Sequence, residues 1–164
     1  MVTEVFEAAS PPNELLTGAS RALARLSKQL DIALAQADLT AAQYRMLCSL
    51  EAGSALASAL ANRLAVSRPT VTGLVDTMLA RGLIERHGDP SDRRRVTHLL
   101  TESGQRILRE ADAAVSARLA MLAGVSPAAD AAFALEGLTA WVPALDEYRE
   151  SRRRFAAPVV AAAV

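Results

Sequence analysis

The eight residues GDPSDRRR place two aspartates directly before three consecutive arginines in an otherwise alanine- and leucine-rich chain. The aspartates are Asp89 and Asp92, and the arginines are Arg93, Arg94 and Arg95. Guanidinium groups bind phosphate, and a neighbouring carboxylate holds an arginine in a fixed orientation. From this stretch alone, both a solvated surface loop and a charge cluster that meets an anionic partner remain open. In the second case we predict that the aspartates orient the arginines, since exposed ion pairs stabilise a fold very little.

The composition favours a helical protein with one hydrophobic core. The chain has 164 residues and a formal net charge of +0, with 51% hydrophobic but only 4% aromatic residues. Alanine and leucine must therefore fill the core, and both are strong helix formers. The charge is unevenly distributed, because residues 63–95 carry seven arginines against four carboxylates. This modest basic region would not by itself establish an anionic partner.

The first third of the chain predicts two helices. Leucines and alanines spaced three and four residues apart indicate an amphipathic helix over about residues 13–36. A second helix begins after Thr40, which can form a capping box with Gln43, and it ends at Gly53.

The next segment predicts a helix-turn-helix over about residues 55–81. A short helix from about residue 55 to residue 64 is followed by Ser67, a good N-cap residue. Pro69 falls in the first turn of the second helix, where its missing N–H costs nothing, and Gly82 follows the end of that helix. Two short helices joined by a tight turn are typical of this motif.

A β-hairpin over about residues 83–101 follows, and GDPSDRRR forms its turn. A fifth helix begins near Glu102. We expect Ser126 to cap a last helix that runs to about residue 150, with Pro143 kinking it or shifting its end. The predicted fold class is mostly α with a small β-hairpin wing.

The second helix of the helix-turn-helix has two chemically different faces. An apolar stripe points to the core, and it consists of Val71, Leu74, Val75, Met78 and Leu79. The opposite face is small and polar, and it consists of Pro69, Thr70, Gly73, Asp76 and Thr77, with Thr72 on its flank. Such a face suits close approach to a DNA groove, and Arg68 stands at the helix N-terminus, where a phosphate is favoured. An arginine-tipped hairpin directly after this motif indicates a winged helix, which places its helix in the major groove.

The stretch LAVSRPTVTGLVDTMLARGLIERHGDPSDRRRVTHLLTESGQ resembles the signature region of MarR-family transcriptional regulators. It includes that family's DxxDRR wing motif and the LTESG that opens the following helix. DLTAAQYRML upstream is similar to the family's second helix, and the resemblance covers about residues 12–148. We accordingly expect a flexible start at residues 1–11 and a disordered tail at residues 149–164.

The resemblance implies a homodimer in which N- and C-terminal helices interlock and two winged-helix lobes read a near-palindromic operator in double-stranded DNA. It also implies a repressor that a small aromatic or lipophilic ligand releases. The residues expected to contact DNA are Arg63, Ser67, Arg68, Pro69, Thr70, Thr72, Gly73, Thr77, Arg93, Arg94 and Arg95. The residues expected at the dimer interface are Leu15, Leu16, Leu23, Leu119, Leu138, Trp141 and Leu145, with packing inside one chain as the alternative.

Two residues depart from the family pattern and keep a second function class open. Gly73 lies at the centre of the groove-facing surface, where relatives carry a longer polar or basic side chain, and Asp76 adds a repulsive charge nearby. The alternative is a winged-helix dimer that binds a ligand or a protein partner but no operator. A gel-shift experiment with the DNA upstream of the gene separates the two classes.

The remaining reactive residue types indicate no enzyme, no cofactor and no metal site. His87 and His98 flank the wing without a cluster of further ligands, and no nucleophile–base pair is apparent. Tyr44 and Met46 line either a ligand pocket or the core. We expect Cys48 to pack in the core as a small hydrophobic residue, which is favoured over a redox role. The single cysteine and the absence of an 18-residue apolar run predict a cytoplasmic protein.

Overall fold

Helices form most of the computed structural model, which describes residues 12–88 and 96–156. The helices are α1 (Asn13–Leu34), α2 (Ala41–Glu51), α3 (Ala57–Leu64), α4 (Arg68–Ala80), α5 (Glu102–Gly124) and α6 (Ala128–Ala156). The strands are β1 (Ala55–Leu56), β2 (Ile84–Gly88) and β3 (Val96–Leu100), and they form one antiparallel sheet in the order β1-β3-β2. The predicted class, mostly α with a small β wing, is confirmed. None of the helices in these two ranges combines the length and hydropathy needed to cross a membrane.

The predicted helix caps are present. Thr40 Oγ1 accepts from the Gln43 backbone N–H at 3.3 Å, and Gln43 Oε1 accepts from the Thr40 N–H at 2.9 Å. This reciprocal pair satisfies two N–H groups that have no partner inside the helix. Gly82 adopts a positive φ of 66° directly after α4, as its predicted position requires.

The prediction that a helix begins at residue 55 is wrong. Ala55 and Leu56 form the short strand β1, and Ala55 pairs with His98 of β3. The helix α3 starts only at Ala57. A two-residue strand has no periodicity of its own, and its pairing partner lies far away along the chain, so the sequence pattern contained no signal for it.

The last helix also differs from its prediction. Ser126 does not cap it, because the Ser126 hydroxyl donates back to the Leu122 carbonyl of α5 at 3.5 Å and α6 begins at Ala128. The helix then continues through Pro143 as one element beyond residue 150. Pro143 removes one backbone hydrogen bond and its ring crowds the preceding turn, and the hydrogen bonds of the other turns keep α6 one element.

The buried core lies at one end of the molecule, between α2, α3, α4, the sheet, the end of α1 and the first half of α5. Its members are Leu34, Ala37, Leu39, Met46, Leu47, Leu50, Ala55, Leu60, Ala61, Val71, Val75, Met78, Leu83, Ile84, Leu108 and Ala111. In α1, only Ala33 and Leu34 are buried. The helix-turn-helix and the sheet therefore share one core, and most of α1 stands outside it.

Candidate nucleic-acid interface

The N-terminus of α4 is capped and solvent-exposed. Ser67 Oγ accepts from the Thr70 backbone N–H at 3.3 Å, and Pro69 occupies the first turn, as predicted. Arg68 is exposed beside them. The free N–H groups and the positive end of the helix dipole favour an anion at this position, and the Arg68 guanidinium adds a full positive charge.

The two predicted faces of α4 are separated by burial. Val71, Val75 and Met78 are buried in the core, with Leu74 and Leu79 packed against it. The polar face is exposed, and its members are Pro69, Thr70, Thr72, Gly73, Asp76 and Thr77. The core thus fixes the orientation of α4 and leaves one small polar face available to a partner.

The threonine hydroxyls on this face bond to their own helix. Thr72 Oγ1 donates to the Arg68 carbonyl at 3.0 Å, and Thr77 Oγ1 donates to the Gly73 carbonyl at 2.8 Å. Thr70 Oγ1 lies 2.7 Å from Ser67 Oγ, and either hydroxyl can be the donor of that bond. Each hydroxyl retains lone pairs, so the face presents mainly acceptors and methyl groups.

Glycine at position 73 is not required by packing. A Cβ atom added there would meet no heavy atom within 4 Å, and the φ angle is not in the left-handed region. Gly73 instead leaves a depression in the face, beside a groove of about 250 Å³ between α2 and α4 that Arg45 of α2 also lines.

The expectation that Asp76 contributes a repulsive charge requires a correction. Arg86 of β2 donates through Nη2 to Asp76 Oδ1 at 2.7 Å, and both side chains are about half exposed. The pair largely neutralises Asp76 and joins the wing strand to α4. The sequence contained an indication of this ion pair. Alternate side chains of a strand share one face, so Arg86 lies on the same face of β2 as Ile84, which is buried in the core.

Two further arginines have structural partners. Arg63, expected to contact DNA, donates through Nη1 to the Ser49 carbonyl at 2.8 Å in a partly buried contact between α3 and α2. Its placement therefore differs from the exposed DNA-facing side chain that we expected. Arg81, at the end of α4, donates to Asp38 at 3.1 Å and ties α4 to the segment before α2.

The residues Asp89, Asp92, Arg93, Arg94 and Arg95 lie outside the described residues. The described base of the wing ends with the pairing of Gly88 and Val96. The orienting role of the aspartates and the contacts of the three arginines stay predictions.

The wing is also anchored at Thr101, where β3 ends and α5 begins. The Thr101 hydroxyl donates to the Gly82 carbonyl at 2.7 Å and accepts from the Gly104 N–H at 3.0 Å. A Cβ atom at Gly104 would lie 2.0 Å from the Leu83 carbonyl oxygen, so only glycine fits there. The glycine of the LTESG motif thus allows α5 to begin in direct contact with the backbone between α4 and β2.

A family model and a curated relative match this part of the chain. The model described as the MarR family matches residues 39–96. The relative YhbI of Bacillus subtilis, an uncharacterized HTH-type transcriptional regulator, is 35% identical over 100 residues, which are 60% of this chain and 65% of YhbI. Other curated relatives are matched over 45% and 54% of their own lengths, so the chain spans about half to two thirds of the curated relatives that it matches.

Two solved structures extend the likeness to most of the chain. The transcriptional repressor CouR, bound to a 23-mer DNA duplex, is 28% identical with a TM-score of 0.64, covering 75% of this chain and 88% of CouR. NadR in complex with 4-hydroxyphenylacetate is 29% identical with a TM-score of 0.59, covering 80% of this chain and 93% of NadR. Residues 39–96 of this chain thus carry the match to the MarR family, and the solved structures extend the same fold to most of the chain.

The MarR-type helices outside the lobe carry large exposed apolar side chains. Six of the seven residues expected at a dimer interface are exposed and Leu119 is half-buried; the six are Leu15, Leu16, Leu23, Leu138, Trp141 and Leu145. The alternative, packing of these side chains inside one chain, is therefore wrong. Leu119, Leu138 and Trp141 line an apolar groove of about 340 Å³ between α1, α5 and α6.

The expected pocket residues separate into a core residue and a polar contact. Met46 is fully buried in the core, which agrees with the alternative that it is a core residue. The Tyr44 hydroxyl donates to Asp112 Oδ1 at 2.6 Å and joins α2 to α5. Burial and this hydrogen bond raise the pKa of the Tyr44 phenol above its usual value. A ligand-binding role for Tyr44 stays a prediction.

The expectation that Cys48 packs in the core is also wrong. The Cys48 side chain is exposed, because Met46, Leu47 and Leu50 occupy the inward positions of α2. Desolvation by neighbouring groups raises the pKa of its thiol, with the Asp112 charge adding to the effect and a hydrogen bond to Tyr44 opposing it. The thiol is consequently protonated at neutral pH, which is the weakly nucleophilic form.

The two histidines differ in burial. His87 is exposed and lies 2.7 Å from Glu85 Oε1. His98 is buried at the base of the wing, with Nδ1 3.3 Å from the Ala55 carbonyl oxygen. Burial lowers the pKa of His98, and the hydrogen bond to Ala55 partly opposes that shift. Among residues 12–88 and 96–156, no three histidine, cysteine or carboxylate side chains are grouped to hold a metal ion.

Proposed function

We propose that this protein is a dimeric, sequence-specific DNA-binding transcriptional regulator. The observation that carries the proposal is the exposed polar face of α4, with Arg68 at its capped N-terminus and the opposite face held in the core. A helix so oriented enters a major groove with its N-terminal residues towards the bases and the phosphates. The DNA-bound structure of the transcriptional repressor CouR supports the same use of this fold.

The proposed DNA contacts lie in two places. Those on α4 and its cap are Ser67, Arg68, Pro69, Thr70, Thr72, Gly73 and Thr77. Those on the wing are Arg93, Arg94 and Arg95, which carry positive charge to phosphates or to an adjacent minor groove. Because the net charge of the chain is +0, this local cluster has to provide the electrostatic part of the affinity.

A homodimer and a near-palindromic operator are part of the proposal. The exposed apolar side chains of α1 and α6 include Leu23 and Trp141. Apolar surface of this extent is typical of a subunit interface. A second copy of the chain would cover this surface and place two α4 helices in successive major grooves of one duplex face.

We further propose that the regulator is a repressor and that a small aromatic or lipophilic ligand releases it from DNA. The repressor role is supported by the structural likeness to the transcriptional repressor CouR, and the ligand class is supported by the complex of NadR with 4-hydroxyphenylacetate. An aromatic carboxylate that lowers operator affinity at concentrations near its own Kd would support the ligand class.

The test of DNA binding is a gel shift with the DNA upstream of the gene. We expect the wild-type dimer to form a discrete complex. Arg68→Ala and Arg94→Ala should weaken binding to every sequence and reduce the dependence of affinity on salt, since each removes a phosphate contact. Arg149→Ala on α6 is the matched control for loss of one exposed arginine and should leave the affinity unchanged.

The outcomes separate DNA binding from the alternative function. An Arg94→Ala dimer with wild-type affinity and salt dependence would remove the wing from the proposal. A folded dimer that binds no duplex even at low salt would contradict DNA binding, and it would favour a scaffold that binds a ligand or a protein partner.

A further inference from the structure

No side chain of α4 at the centre of its exposed face has a donor that is free to bond a base, and the Arg86 guanidinium of β2 beside it donates to Asp76. We propose that this centre reads thymine methyl groups and the amino groups of adenine and cytosine, and that it does not read guanine. The inference rests on the proposed DNA-binding function and specifies which base edges the α4 helix recognises.

The first step concerns Thr77 on the exposed face and Thr72 on the flank of that face. A hydroxyl has one proton and two lone pairs, and the protons of Thr72 and Thr77 are directed to backbone carbonyls of α4 at 3.0 Å and 2.8 Å. What remains for a base is an acceptor oxygen and a methyl group on each side chain. An acceptor pairs with an exocyclic amino group, and a methyl group packs on the methyl group of thymine.

The second step concerns the residues between these threonines. Gly73 has no side chain, and the Asp76 carboxylate only accepts hydrogen bonds. Asp76 Oδ1 is bonded to Arg86, while its second oxygen has no partner among the described residues. Both positions therefore match the preference of the threonines, since neither offers a donor.

Guanine requires the opposite chemistry. Its major-groove edge offers the acceptors N7 and O6, and a bidentate arginine or lysine is its commonest partner. On α4 the available donors lie at the N-terminal end, where Arg68 is exposed and the Ser67–Thr70 pair shares one bond between two hydroxyls. Guanine recognition by α4 is accordingly confined to that end.

Gly73 makes the central contacts possible at short range. A Cβ atom at this position would meet no protein atom within 4 Å, so the missing side chain leaves open space on the exposed face. A base edge can then approach the helix backbone at Gly73 closely enough to touch the Thr77 methyl group, while Thr72 is available to a neighbouring base from the flank of the face. A longer side chain at this position would hold the groove floor away.

The experiment begins with the full-length protein and a random duplex library. The most enriched site is resynthesised with single replacements of thymidine by 2′-deoxyuridine, which lacks the methyl group, and of guanosine by 7-deazaguanosine, which lacks N7. At central half-site positions we expect deoxyuridine to weaken binding about fourfold, the change for one buried methyl group. Deazaguanine should weaken binding only at positions next to Arg68.

A substitution at Gly73 identifies the base pairs under the centre of α4. Selection with Gly73→Arg should return a new guanine there, because the variant supplies the missing donor in an open position. Gly124→Arg adds the same side chain at the exposed end of α5 and should select the wild-type site. Arg45→Ala is a second control, since Arg45 supplies a donor from α2 to the groove beside Gly73.

Each outcome bears on the inference or on the function beneath it. A selected site whose central positions are sensitive to deazaguanine overturns the inference but leaves DNA binding intact, whether or not Arg45→Ala removes that sensitivity. Central positions insensitive to deoxyuridine also overturn it. Failure to enrich any duplex contradicts the proposed function itself.

Discussion

The winged-helix lobe and the outer helices use the same apolar residue types for opposite purposes. In the lobe, leucines such as Leu47 and Leu60 are completely buried by their own chain. In α1 and α6, leucines such as Leu23 and Leu145 are more than half exposed. The difference shows that the lobe has a complete core in one chain, whereas the apolar surface of the outer helices is left uncovered by that chain.

This division suits the proposed function. A lobe with its own core keeps α4 and the wing in a fixed relation, through contacts such as Asp76–Arg86 and Arg81–Asp38. The outer helices set the distance between two such lobes, which decides the spacing of operator half-sites. The two regions can therefore be tested separately, since the lobe contains the buried core and the outer helices carry the proposed dimer interface.

The largest expected effect is in the lobe core. Leu60 is 0% exposed, and Leu60→Ala should lower the free energy of unfolding by about 2–5 kcal/mol, because it removes contacts and leaves a cavity. Leu23→Ala is the matched control, since Leu23 is 67% exposed. Urea unfolding at several protein concentrations measures both variants. Equal losses at the lowest concentration would contradict the division between the two regions.

The next effect concerns assembly. Trp141 is 65% exposed on α6, and Trp141→Ala should weaken the dimer by about 2 kcal/mol or more, as expected for an aromatic residue at the centre of an interface. Sedimentation measures the dimer Kd, and circular dichroism should show unchanged helix content. Arg149→Ala is the control on the same helix. An unchanged Kd for the tryptophan variant would exclude this face of α6 from the interface.

A third prediction compares two glycines. Gly104→Ala places a Cβ atom 2.0 Å from a backbone oxygen that cannot move alone, so we expect a loss of about 1–3 kcal/mol in stability. Gly73→Ala meets no atom and removes a flexible residue from a helix, so a gain of up to about 1 kcal/mol is expected. Thermal and urea unfolding measure both. A wild-type stability for Gly104→Ala would show that α5 can shift away from Leu83.

The smallest expected effect is a pH dependence of the lobe. Burial lowers the pKa of His98 below 6.5, so the unfolded chain binds more protons than the folded chain between the two pKa values. The contribution of His98 to the free energy of unfolding is therefore fully present above about pH 6.5. It falls as the pH is lowered towards the pKa of His98 in the folded protein, by about 1.4 kcal/mol for each pH unit between the unfolded and the folded pKa. Urea unfolding between pH 7.5 and pH 5 should show the decline.

Two histidine variants test whether His98 causes this decline in stability. His98→Gln should remove the part of the slope that His98 causes, and His87→Gln, on the exposed face of the hairpin, should leave that part in place. A His98→Gln protein with the wild-type slope would mean that other groups cause the acid sensitivity.

Features determined by neighbouring residues were predicted well. The Thr40–Gln43 capping box, the Ser67 cap and the buried stripe of α4 were all found as expected. Each depends on residues three or four positions apart, whose geometry any helix imposes. The hairpin strands were also predicted, because turn residues and β-branched residues mark their limits.

Features that depend on distant residues were missed or wrong. The strand β1 exists only because β3 lies beside it. The Arg63 side chain of α3 donates to the Ser49 carbonyl of α2. Cys48 is exposed although it stands in an apolar run, because only three residues of that run point inward. The sequence pattern does not contain these distances, so no periodicity could supply them.

The sequence by itself determined the order of the helices and the two hairpin strands, the capped start of α4 and the small polar face that this helix exposes. Only the tertiary structure decided that Arg86 pairs with Asp76, that Arg63 donates to Ser49, and that the apolar side chains of α1 and α6 are left uncovered by their own chain. The physical reason is the separation along the chain of the groups that interact. Caps and stripes follow from covalent spacing along one helix, whereas ion pairs and burial require two elements to be packed together.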